Sequence, residues 1–199
     1  MLRMGRIEDG SAGTEAQGGE LLRFKHRLYI PDHIDADNLK GLVKTIRTVE
    51  NEEEGGQVLI EVNTFGGDVG AATELALVMH HSPISVTTLA TNKCQSVGIL
   101  LVAAGNYRFA YPETDFMFHH PTYAKEGKFS LRTWREKVAD MERQQSRYLG
   151  FIEQFTGIPL ERLENEFEKD THIDSATAVS LGIIDVVVPS VKQRGEIAQ

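Results

Sequence analysis

Apolar positions change their spacing repeatedly along the chain, and the changes predict alternating strands and helices. Leu21 to Ile30 reads as a strand with Phe24, Leu28 and Ile30 on one face. Asp35 or Asp37 can then cap a helix in which Leu39, Leu42, Val43 and Ile46 recur at helical spacing. The acidic, glycine-containing stretch from Glu50 to Gly56 reads as a turn, and Val58 to Val62 as a short apolar strand. Asn63 to Gly67 is a loop that feeds a second helix through Met79, and Ile84 to Leu89 is the next strand. A short apolar helix over Ile99 to Ala104 and a strand leading through Phe116 into His119 follow. Strand, loop, helix, strand repeats, which predicts an α/β domain with a largely parallel sheet.

From Leu131 the apolar positions Leu131, Trp134, Val138, Met141, Tyr148, Ile152 and Phe155 step by threes and fours, broken only at Gln145. They predict one helix of about 37 Å at roughly 1.5 Å per residue. Its narrow seam suits a helix packed on its own domain and one that interlocks subunits equally well. A short helix from Ser175 to Leu181, capped by Asp174, and an apolar strand from Ile183 to Val188 close the domain.

The ends differ from the middle. Residues 1–20 carry Gly5, Gly10, Gly13, Gly18 and Gly19 with almost no large apolar side chain after Leu2 and Met4. Such a stretch buries too little surface to offset its ordering entropy, so it reads as a flexible arm. One domain is expected over 21–190, with a polar tail over 191–199. The net charge of −8 argues against nucleic acid or an anionic membrane as the main partner. The single cysteine, Cys94, rules out an intramolecular disulfide framework and suits a reducing compartment. With no charged-then-apolar leader and no apolar run near the roughly 20 residues that span a bilayer, a cytoplasmic location is expected.

Four segments can carry chemistry, and each taken alone reads more readily as structural: a tight turn, a helix cap, a structural histidine and a solvated acid. In Asn63-Thr64-Phe65-Gly66-Gly67-Asp68-Val69 the glycine pair lets the backbone turn sharply and brings N–H groups close to a ligand, although such a pair is more often only a tight turn. No GxGxxG and no P-loop lysine accompanies it, which argues against a nucleotide site. In Asn92-Lys93-Cys94-Gln95-Ser96-Val97-Gly98 the serine stands at a helix start, where it can cap the helix or present its hydroxyl beside free N–H groups. It half-matches a nucleophile elbow, with Gly98 present and Cys94 in place of the first glycine. Cys94 itself reads as a small core residue. In Phe118-His119-His120-Pro121 the two histidines diverge along the strand and do not share one metal ion readily, and no HExxH or cysteine cluster supports zinc. Asp170, in Glu168-Lys169-Asp170-Thr171, sits where a helix gives way to a loop, without a capping partner.

Taken in order, these segments resemble the proteolytic subunit of the Clp protease across about two thirds of the chain, Leu59 to Val188. The resemblance rests on Asn63 to Gly67 for the glycine loop, Ser96-Val97-Gly98 for the nucleophile and Phe118-His119-His120-Pro121 for the histidine. It rests also on Asp170 and on the closing Ala178 to Asp185. It implies a crotonase-like α/β fold with a long handle helix over Leu131 to Phe155. Ser96 would be the nucleophile, His119 the general base and Asp170 the group that orients the imidazole. The N–H groups of Gly67 and Val97 would form the oxyanion hole. An extended polypeptide would add as a strand beside Gly66, Asp68 and Val69 and beside the segment containing Thr122. The resemblance further implies stacked heptameric rings of identical subunits, loading by a Clp-type AAA+ unfoldase, and no metal or nucleotide in the peptidase itself. The strand Leu59 to Val62 lacks the tyrosines that build the family's unfoldase pocket. Three other readings are weighed beside the active peptidase: a ring subunit without activity, a crotonase-fold enzyme acting on acyl-CoA, and a Ser-Lys peptidase using Lys93.

Overall fold

The computed structural model describes residues 24–52, 56–120, 122, 128–168 and 170–189. In chain order the elements are β1 (His26–Ile30), α1 (Ala36–Glu52), β2 (Gln57–Thr64), α2 (Val69–His81), β3 (Ser85–Gln95), α3 (Gly98–Ala103) and β4 (Tyr107–Ala110). They continue with β5 (Asp115–Met117), α4 (Leu131–Thr156), α5 (Leu160–Phe167), β6 (His172–Ile173), α6 (Ser175–Leu181) and β7 (Val186–Val187). The expected arm over 1–20 and the tail over 191–199 lie outside the described residues. Among the described residues, no helix is long and apolar enough to cross a membrane.

The sheet runs β1-β2-β3-β4-β7 with every neighbouring pair parallel. In β2, Val58, Leu59 and Ile60 are all fully buried, as a parallel strand covered on both faces requires. Val58 and Ile60 join the main core with Ile46, Leu75 and Leu100, while Leu59 joins Leu89 and Val188 on the opposite face. Each such side chain stabilises the fold by about 1.5–3 kcal/mol relative to exposure.

On the edge away from β2, β3 serves two partners, and this positions the site. Its first half, Thr87 to Ala90, pairs with β4. Its second half, Lys93 to Gln95, pairs in parallel with β5, which in turn pairs antiparallel with β6. A register shift between Val62 and Thr64 accompanies the change of direction. Periodicity predicted β3 only to Leu89; the observed strand continues to Gln95 because Lys93, Cys94 and Gln95 pair with β5, past the exposed Asn92. Other bounds also depart from the pattern: β2 runs on through Asn63 and Thr64, where the pattern predicts a loop, because Thr64 is buried and pairs with Cys94, and α2 continues past Met79 to His81. Helix α1 continues to Glu52 through part of the predicted turn. His119 and His120 lie just past the end of β5, and Ile183 and Ile184 are buried outside a strand. The short strands β4 and β6 carry too few residues to show a period.

The long helix α4 has 26 residues and ends at Gly157, whose φ of 75° terminates it in the left-handed conformation. Only its last third is anchored, through buried Tyr148, Leu149 and Ile152. Further toward its start, Leu131, Trp134 and Val138 remain 68%, 46% and 51% exposed.

Candidate functional site

Ser96 occupies the turn between β3 and α3 with φ of 54°, a left-handed conformation that costs a residue with a Cβ about 1–2 kcal/mol. Three hydrogen bonds hold it there. Its N–H donates to the Met117 carbonyl at 2.8 Å, and its own carbonyl accepts from Ile99 N–H at 3.1 Å and from the Tyr148 hydroxyl at 2.7 Å. Neighbouring Cys94 is fully buried, and burial pushes its thiol up, so it is a core residue and not a thiolate.

The glycine loop packs directly on this turn. A Cβ on Gly66 would meet the Ser96 Cβ at 2.6 Å and its Oγ at 3.1 Å, and one on Gly67 would meet the Ile34 carbonyl oxygen at 2.1 Å. Both glycines have φ values, 102° and 147°, that disfavour a side chain. Thr64, fully buried, braces the loop: its hydroxyl donates to the Asp32 carbonyl at 2.9 Å and accepts from Gly66 N–H at 3.1 Å. Ile34 N–H donates to the Gly66 carbonyl, and Asp68 N–H donates to the Ile34 carbonyl, both at 2.8 Å. Alternating backbone groups point Gly67 away from Ile34. Within the described residues the N–H groups of Gly67 and Val97 have no acceptor.

His119, Ser96 and Val97 line one cavity together with Val69, at the start of α2. Gln144, Gln145 and Tyr148 of α4 and Phe167 of α5 complete its wall. Asp170 does not line it. It follows α5 with φ of 45°, a conformation that aspartate tolerates better than most residues. The antiparallel register pairs Phe116 with Ile173 and Met117 with His172, and Phe118 N–H extends it to the Thr171 carbonyl at 2.9 Å. His119 and Asp170 are the next residues along the chain beyond that bond, each outside the paired strands. No hydrogen bond joins the side chains of Ser96, His119 and Asp170 among the described residues.

The other sequence candidates take separate places. Asp68 caps α2, its Oδ1 accepting from Ala71 N–H at 2.7 Å. Thr122 is exposed. His120 is also exposed and turns to α4, with Nδ1 2.9 Å from Gln145 Oε1. The Lys93 ammonium lies 5.0 Å from the centre of the Phe65 ring, and Lys93 does not line the Ser96 cavity. Sequence reasoning placed Tyr148 only in a helical seam; nothing in that spacing shows that its hydroxyl reaches Ser96. Phe167, Gln144 and Gln145 carried no signal of their own.

A family model described as Clp protease matches residues 16–191, nearly the whole chain, and spans the glycine loop, Ser96, His119 and Asp170. The mostly parallel sheet with helices packed against it is consistent with the crotonase-like fold. The chain therefore belongs to the Clp protease family, a family of peptidases.

Proposed function

We propose that the protein is an active serine endopeptidase subunit, with Ser96 as nucleophile, His119 as general base and Asp170 as the residue that orients the imidazole. The observation that carries this reading is the strained Ser96 turn sharing a cavity with His119, with the glycine loop packed on it and the Gly67 and Val97 N–H groups without acceptors among the described residues. His119 takes the Ser96 proton as Oγ attacks the scissile carbonyl carbon, and returns it to the departing amine. The resulting oxyanion is stabilised by the Gly67 and Val97 N–H groups, where one donor contributes about 3 kcal/mol to the transition state. Water, deprotonated by His119, then hydrolyses the acyl-enzyme. The substrate is an extended polypeptide that adds along Gly66 to Val69, where Gly67 leaves both its backbone polar groups facing away from Ile34. The subunits assemble into stacked heptameric rings, loaded by an AAA+ unfoldase, in the cytoplasm.

The test is fluorophosphonate labelling of the assembled protein, with the adduct located by peptide mass spectrometry. One adduct on Ser96, lost in His119→Ala, is expected, and Ser96→Ala should abolish peptide hydrolysis without disturbing assembly. Hydrolysis that persists in purified Ser96→Ala would refute the nucleophile assignment. The second reading, a ring subunit without activity, draws on the missing hydrogen bonds among the three side chains. An oligomer in which no serine is labelled would favour it.

A further inference from the structure

Resting on the peptidase reading above, we infer that Tyr148 is a positioning residue for the oxyanion hole, acting through the Ser96–Val97 peptide. Its hydroxyl donates to the Ser96 carbonyl at 2.7 Å, and it is the only side chain among the described residues that bonds to the backbone of Ser96. The Ser96 carbonyl and the Val97 N–H belong to one planar trans peptide, so they point in opposite directions. Fixing the carbonyl toward α4 therefore fixes the Val97 N–H on the other side, where the developing oxyanion needs a donor. A hydrogen bond to the carbonyl also polarises the same peptide and strengthens its N–H as a donor.

The surroundings make this tether rigid. Tyr148 is 5% exposed, and burial pushes its phenol up, so it keeps its proton and remains a donor. Its ring meets Phe167 edge to face at 5.4 Å, and Phe167 meets Phe118 in the same manner at 5.0 Å. Phe118 adjoins His119, and Phe167 ends the helix before Asp170. Tyr148 and Phe167 of this aromatic set thus share one cavity wall with Ser96 and His119, and the Tyr148 hydroxyl is the side-chain donor to the Ser96–Val97 peptide. Without it, the carbonyl keeps only Ile99 N–H at 3.1 Å, and the left-handed turn loses one of the three hydrogen bonds that hold it.

Tyr148→Phe removes the hydroxyl and keeps the ring packing, so the fold should survive with its melting temperature nearly unchanged. In the assembled full-length protein, kcat for a peptide amide should fall roughly threefold to tenfold, the effect of one lost hydrogen bond. The rate of fluorophosphonate labelling at Ser96 should fall in parallel, with KM changed by less than about twofold, because the interaction strengthens only in the transition state. Wild-type kinetics in Tyr148→Phe would overturn the inference, as would a loss matched by a proportionate drop in folded protein. A wild-type protein that neither labels nor cleaves overturns the peptidase reading itself, and the wild-type arm alone distinguishes that result from the first.

Discussion

At the scale of single residues, the site depends on three backbone conformations that ordinary side chains avoid: Gly66 and Gly67 in the loop, and Ser96 in the turn against it. The glycines make the close approach possible, and Ser96 accepts strain that its hydrogen bonds offset. Gly66→Ala tests this contact. A methyl group there meets the Ser96 Cβ at 2.6 Å on a backbone with φ of 102°. The substitution should destabilise the protein by about 1–3 kcal/mol, as strained positions do. It should also slow fluorophosphonate labelling of Ser96 more than it lowers the melting temperature. Equal labelling rates in variant and wild type would show that the loop does not set the serine's geometry.

At the scale of elements, caps and pairings decide where the site's segments end. Helix α6 starts at Asp174, whose Oδ1 accepts from Thr177 N–H at 2.8 Å. Hydrogen bonds from Thr177 hold this carboxylate below its ordinary range. A carboxylate depressed on folding contributes its stabilisation in full above the unfolded value, near pH 4, and loses it as pH falls through the folded value. Amide exchange from the first turn of α6, corrected for intrinsic rates, should therefore be flat between about pH 5 and 8 and accelerate below about pH 4. Asp174→Asn, which keeps a capping oxygen, should remove the acid-side acceleration. Arg108 closes the same region from the sheet side, binding the Asp185 carboxylate and, through Nη1, the Gly182 carbonyl at 2.9 Å. That contact gives the closing segment Ala178 to Asp185 a structural reason for its acid.

At the scale of the whole molecule, helix α4 extends beyond the core that anchors its end. Leu131, Trp134 and Val138 recur at helical spacing and stay largely exposed in the single chain. Contiguous apolar side chains on water favour burial against another surface, which fits assembly through this helix. Replacing Leu131, Trp134 and Val138 together by serine should dissociate the oligomer, read by sedimentation velocity. Far-ultraviolet circular dichroism of the isolated subunit should stay close to wild type, because none of the three contributes to the buried core. An oligomer of unchanged mass would place the assembly contacts elsewhere.

The sequence by itself determined the alternation of elements, the extent of the long helix to within a residue, and the order of the segments that carry the family resemblance. These are local properties: hydrophobic period, caps and glycines act over a few residues, and they leave their mark in the chain. It did not determine the reach of β3 beyond Leu89, because pairing with β5 holds Lys93 to Gln95 where periodicity is absent. Nor did it choose between the two roles open to the long helix, since a seam of apolar positions looks the same whether its own core covers it or not. Only the tertiary structure decided which of those positions are buried. Only it gathered Ser96 and His119 into one cavity and brought the Tyr148 hydroxyl from α4 to a carbonyl 52 residues earlier in the chain. Such contacts are set by how distant segments pack, and no local spacing encodes them.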